Sequence, residues 1–128
     1  MPVGQAKTSF IDSRDIAAVV ATLLATDEFN NQAFDLTGSE ALTHDDMAQN
    51  ISQAINRTIL FQDISPELLK RDLLDKGIPE DYSDFMLLIL SYLKAGYNSK
   101  VTHDVEHIIG RPPLSVSSYI QQHQQCWL

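Results

Sequence analysis

The side chains best suited to chemistry lie in three places. Asp12, Arg14 and Asp15 form an acid–base–acid cluster between a β-prone stretch and a long apolar run. Such a cluster can cap a helix and hold a local ion pair, or it can put charge into a cleft. In "HDVEH" (103–107), His103 and His107 would share a helix face, as two ligands of one metal should. Tyr82, Phe85, Met86, Tyr92 and Tyr97 lie on or next to a single apolar segment. They suit either a core or the wall of an apolar pocket, which needs large side chains with a few polar tips. Asp12, Arg14, Tyr82, Phe85, Met86, Tyr92 and Tyr97 are therefore the candidate pocket-lining residues.

The metal reading of "HDVEH" is the weaker one. A catalytic zinc needs a third protein ligand on a rigid frame. No Asp or Glu follows Glu106, and the helix is short. Thr102 can cap that helix, Asp104 and Glu106 suit its first turn, and Val105, Ile108 and Ile109 can pack inward. No metal is expected. His44, in a helix first turn, and His123, in a Gln-rich helix, have no evident partners and read as solvated. Cys126 has no basic neighbour to make it a thiolate.

A dinucleotide phosphate loop needs closely spaced glycines, so that backbone N–H groups can approach the pyrophosphate. Gly4, Gly38, Gly77, Gly96 and Gly110 are all far apart, and no P-loop occurs. No catalytic and no cofactor-binding residue is assigned.

The elements that must position these groups can be read from caps and periodicity. Strands are expected at "TSFI" (8–11), "AFDLTG" (33–38), "ALT" (41–43) and "TILFQDI" (58–64). Asp12 or Ser13 starts a helix that runs to about Thr26 and has almost no polar face. Thr43, with Asp46 in a capping-box-like position, opens a second helix ending near Asn56. Ser65, Pro66 and Gly77 bracket a third. A fourth runs from Pro79 to Lys94 or Ala95, apolar nearly all round, and stops at Gly96. A short helix follows Thr102 and closes at Gly110; the last runs from Ser115 or Ser117 through Trp127.

The chain has 128 residues and reads as one α/β domain over 8–128, mostly helical with a few short strands, after a flexible segment 1–7. Its formal net charge is −8, with no cationic stripe, which argues against nucleic acid and anionic membrane surfaces as partners. The longest apolar runs are too short to span a bilayer. A single cysteine and the lack of a recognisable leader fit a cytoplasmic protein.

Together "SFIDSRDIAAVVATLLA", "QAFDLTGSEALTHDDMAQNISQAINRTILFQDISPE" and "KAGYNSKVTHDVEHIIGRPPLSVSSYIQQH" resemble the C-terminal part of NmrA-like proteins, atypical members of the short-chain dehydrogenase superfamily. The resemblance covers about residues 7–127. It implies the substrate-side region of a protein whose NAD(P) site lies in a Rossmann domain. "TSFI" and "TILFQDI" would join a small substrate-side sheet, "AFDL" would return to the Rossmann sheet, and the 79–95 helix would border the substrate cleft. The family's glycine-rich turn and any catalytic tyrosine–lysine pair would lie upstream of residue 1. The expectation is a detached substrate-side domain, with no oxidoreductase activity or cofactor of its own, that self-associates as a homodimer or higher oligomer through apolar faces. The rival expectation is a stand-alone binding module for a small apolar ligand or a partner helix.

Overall fold

The computed structural model describes residues 1–128. Six α-helices account for most of the order: α1 (Ser13–Ala25), α2 (His44–Ile55), α3 (Pro66–Asp75), α4 (Glu80–Lys94), α5 (Asp104–Ile109) and α6 (Val116–Gln122). A 3-10 turn at Gln124–Trp127 ends the chain.

The helix starts follow local chemistry. Asp12 accepts from Arg14 N–H at 2.8 Å, so its carboxylate takes one of the donors left free at the start of α1. Thr43 and Asp46 form a full capping box on α2: Asp46 N–H donates to Thr43 Oγ1 and Thr43 N–H donates to Asp46 Oδ2. Ser65 caps α3, with Pro66 in its first turn. Gly110 ends α5 in the left-handed region (φ 72°), where glycine carries no Cβ penalty. The last helix is shorter than expected. α6 stops at Gln122, His123 leaves the helical region, and the remaining residues tighten into the 3-10 turn.

The expected strands do not form a sheet. The stretches 8–11, 33–38, 41–43 and 58–64 carry one isolated antiparallel bridge, Thr8 with Leu42. Thr8 N–H donates to Leu42 O at 2.8 Å and Leu42 N–H to Thr8 O at 3.0 Å. The expected mostly helical character holds, and the short strands expected with it are extended segments between helices that share this one bridge. Strand-forming residues favour a pleated, half-buried surface, and that surface exists only when another strand lies alongside.

Other groups take over the hydrogen bonding of these segments. Ser52 Oγ accepts from Ile59 N–H at 2.8 Å while donating to Ala48 O at 2.7 Å in its own helix. Ser9 N–H donates to Asn98 O at 2.9 Å. Residues 1–7, which the sequence suggests are flexible, make defined contacts: Asp63 Oδ1 accepts from the N–H groups of Val3 and Gly4, each at 3.1 Å, and Val3 is fully buried.

The packing is divided. α1 packs on α5, α2 packs on α6 and the terminal 3-10 turn, and α3 packs on α4. The core lies between α1 and α5, where Val19, Val105 and Ile108 are flanked by Ile11, Leu23, Phe29, Phe34 and Leu36. Lys70 joins the α3–α4 hairpin across its faces, 3.0 Å from Glu80 and 2.6 Å from Asp84.

The accessible surface is 8353 Å². A compact monomer of this mass exposes about 6,800 Å² by the usual scaling. Much of the excess is apolar: Ile16, Val20 and Leu24 form an exposed stripe on α1, and Tyr82, Phe85, Leu88, Ile89 and Tyr92 form one on α4.

Candidate functional site

A cavity of about 280 Å³ opens where the 8–11 segment turns into α1. Phe10, Ile11, Asp12 and Ser13 form one wall, Leu114, Ser115 and Val116 the opposite wall, and Met47 and Tyr119 complete it. The lining is apolar with a few polar groups, the composition that small-molecule sites favour.

Asp12 is the charged group in this wall, and it is 8% exposed. Arg14 clamps it: Nε lies 3.0 and 3.1 Å from the two carboxylate oxygens, and Nη2 lies 2.6 Å from Oδ2. This charge-assisted hydrogen bonding holds the Asp12 carboxyl at about 2, well below 3.8, against the opposing effect of burial. Asp12 stays ionised near neutral pH and raises the affinity of Arg14 for its proton in return.

Asp15, one turn into α1, is fully buried. Its Oδ2 accepts from Leu114 N–H at 2.7 Å. Arg111 Nη1 stands 2.7 Å from Oδ1, close enough to neutralise it, although its N–H points off the oxygen. Asp15 and Arg111 therefore tie the two cavity walls together. The cluster at 12–15 thus acts both as a helix start and as part of a cleft wall.

The other predicted site residues are not brought to this cavity. Tyr97 lines a second, more polar depression of about 570 Å³, with Asn98, Lys100, Asp35 and the 8–11 and 34–37 segments. Tyr82, Phe85, Met86 and Tyr92 line neither depression, nor a third small one near Asn50 and Gln121. Those four side chains project from α4, whose main packing partner is α3. In "HDVEH", His103 precedes α5 as its N-cap and His107 stacks edge-on against Phe29, 5.6 Å between ring centres. No three His, Cys, Asp or Glu side chains converge as a metal site would need.

Sequence reasoning missed Phe10, Met47, Leu114 and Tyr119 as lining residues, since they come from four separate segments. It also placed His44 in solvent. His44 sits instead between Phe10 and Phe61, with ring centres 5.6 and 5.2 Å away. Burial lowers its proton affinity, the N-terminal ammonium adds to this and Asp45 opposes it. Its Nδ1 is buried without a partner.

Comparison with known proteins places this arrangement. No family model matches the sequence. The NAD(P)H azoreductase of Xenophilus azovorans is 32% identical over 123 residues, which is 96% of this chain and 43% of that protein. The uncharacterized oxidoreductase YesF of Bacillus subtilis is 32% identical over 124 residues, 97% of this chain and 43% of that protein. Among solved structures, the Citrobacter triphenylmethane reductase superposes on 98% of this chain and 43% of its own, with a TM-score of 0.84 at 22% identity. The chain corresponds to the C-terminal part of NmrA-like, NAD(P)-dependent reductase-type proteins. An NADPH-dependent quinone oxidoreductase from Escherichia coli shares the fold, with a TM-score of 0.84 at 18% identity over 94% of this chain and 44% of that one. The chain spans about two-fifths of the length of the curated relatives it matches. Within this NmrA-like part, no helix is long and apolar enough to cross a membrane.

Proposed function

We propose that this chain forms the substrate side of an NAD(P)H-dependent reductase-type protein and has no oxidoreductase activity by itself. The observation that carries the reading is the near-complete match of the chain to part of such proteins, in a sequence without the paired glycines of a dinucleotide site. Hydride transfer would then need a dinucleotide-binding region packed beside it. The exposed apolar stripe of α1 (Ile16, Val20 and Leu24, the last 84% exposed) suits that neighbour.

The cavity beside Asp12 would hold a flat aromatic or apolar substrate. Phe10, Met47 and Tyr119 offer ring-compatible surface, and the Asp12–Arg14 pair gives one polar edge. Relatives named for azo and quinone reduction agree with a substrate of that shape. The same cavity favours a second reading, a binding module for a small apolar ligand.

Titration with NADPH tests the first reading. No binding in the micromolar range, and no dye or quinone reduction in its presence, is the expected result. Micromolar NADPH affinity would overturn it. A dissociation constant in the micromolar range for a small aromatic compound, lost in Met47→Trp, is expected on either reading and would locate the ligand in this cavity.

A further inference from the structure

The outer face of α4 carries an apolar stripe that nothing in the chain covers. Tyr82, Phe85, Ile89 and Tyr92 are each between 43% and 55% exposed. At about 100° per residue these four positions fall within one narrow arc of the helix. Leu88 widens that arc, and Ser83 and Leu90 point the other way and are buried. Tyr97 extends the patch past the helix end; it packs edge-on against Tyr92 at 5.6 Å and is 73% exposed.

We infer that this face pairs with the same face of a second copy, antiparallel, about a two-fold axis level with Leu87. The stripe is symmetric about that position: Phe85 and Ile89 lie equally far on either side of it, and so do Tyr82 and Tyr92. A two-fold interface requires that when residue i meets j, j also meets i. An antiparallel pair meets this by setting Tyr82 against Tyr92 of the second copy and Phe85 against Ile89.

Charge selects the direction. Asp81 stands at the N-terminal end of α4, where Glu80 and Asp84 are paired with Lys70, and Lys94 stands at its C-terminal end. A parallel pair would bring Asp81 to Asp81 and Lys94 to Lys94, whereas an antiparallel pair sets the acidic end of each helix beside Lys94 of the other. Like charges brought together across an interface are costly, so the antiparallel form is favoured.

The area is that of a small interface. The exposed parts of Tyr82, Phe85, Tyr92 and Tyr97 alone offer on the order of 450 Å², taking about 200 Å² per aromatic side chain. A standard interface uses about 800 Å² per partner, and Leu88, Ile89 and the stem atoms between them add to the total. Tyrosine-rich centres of this kind carry much of the energy of such contacts.

Sedimentation equilibrium on the full chain at tens of micromolar tests it. A dimer is expected. Phe85→Glu and Ile89→Lys, each made alone, should weaken association at least about tenfold. Both positions are exposed, so far-UV circular dichroism and the unfolding midpoint should stay near wild type. Mixing the two variants should restore a heterodimer, because the new acid on one chain then faces the new base on the other. Val20→Glu, on the α1 stripe, should leave the dimer intact. A wild-type monomer, an oligomer broken by Val20→Glu but not by Phe85→Glu, or variants that stay apart when mixed would each overturn the inference.

Discussion

The carboxylate of Asp15 accepts the backbone N–H of Leu114 at 2.7 Å, across a sequence separation of 99 residues. One fully buried side chain on α1 thus fixes the link that brings Leu114, Ser115 and Val116 to the cavity. Arg111, approaching the other oxygen, keeps the buried charge neutral overall. A buried carboxylate without such partners would be expensive, and removing one partner strands the other.

Asp15→Ala should therefore destabilise the fold by about 2 kcal/mol, mainly because it orphans the Leu114 N–H; the half-exposed Arg111 guanidinium can turn to water. Asp15→Asn keeps an acceptor of the same shape and should cost less. Urea unfolding of both variants checks the order. A wild-type midpoint for Asp15→Ala would show that the carboxylate is not the tie.

Gly38 tests the join from another side. Its φ is ordinary, so conformational freedom is not the reason for glycine there. A Cβ built on Gly38 would lie 1.9 Å from Phe10 O, a backbone atom that cannot swing aside. Gly38→Ala should cost about 3 kcal/mol and push the 8–11 segment away from the turn. A near-neutral change in thermal unfolding would refute that close approach.

The Asp12–Arg14 pair gives a pH signature. The folded carboxyl sits at about 2 against 3.8 ordinarily, so folding favours its charged form. Its contribution is complete above 3.8 and is lost as pH falls through about 2. The shift corresponds to at most about 2 kcal/mol, and solvent around the half-exposed Arg14 reduces it to about 1. Asp12→Asn should flatten the stability profile in that window and change it little at neutral pH beyond the constant loss of the pair. An unchanged acid limb in that variant would remove Asp12 from the account.

These residues also show what a sequence can and cannot reveal. Helix starts are set by groups within four positions of one another, so Asp12, the Thr43–Asp46 box, Ser65 and Gly110 were legible. Their geometry in the structure matches the reading. The strands at 8–11, 33–38 and 58–64 were not, because a strand exists only through its neighbour, and the bridge formed is Thr8 with Leu42. The cavity was half legible. Asp12 announced itself by type and place, whereas Met47, Leu114 and Tyr119 are ordinary residues until folding brings them together. The aromatic series on α4 suits a core or a pocket equally in the sequence, because periodicity tells which residues share a face, not what that face meets. His44 was read as solvated because its aromatic neighbours Phe10 and Phe61 come from two other segments.

The α3–α4 hairpin contributes little to the cohesion of the rest of the molecule. Its two helices pack mainly on each other, and Lys70 ties them together through Glu80 and Asp84. The core between α1 and α5 lies elsewhere. Cooperative units follow shared packing, so the hairpin can open and reclose as a unit of its own while the core stays shut. Amide hydrogens in α3 and α4 would then exchange with solvent along a route that those of α1 and α5 do not share.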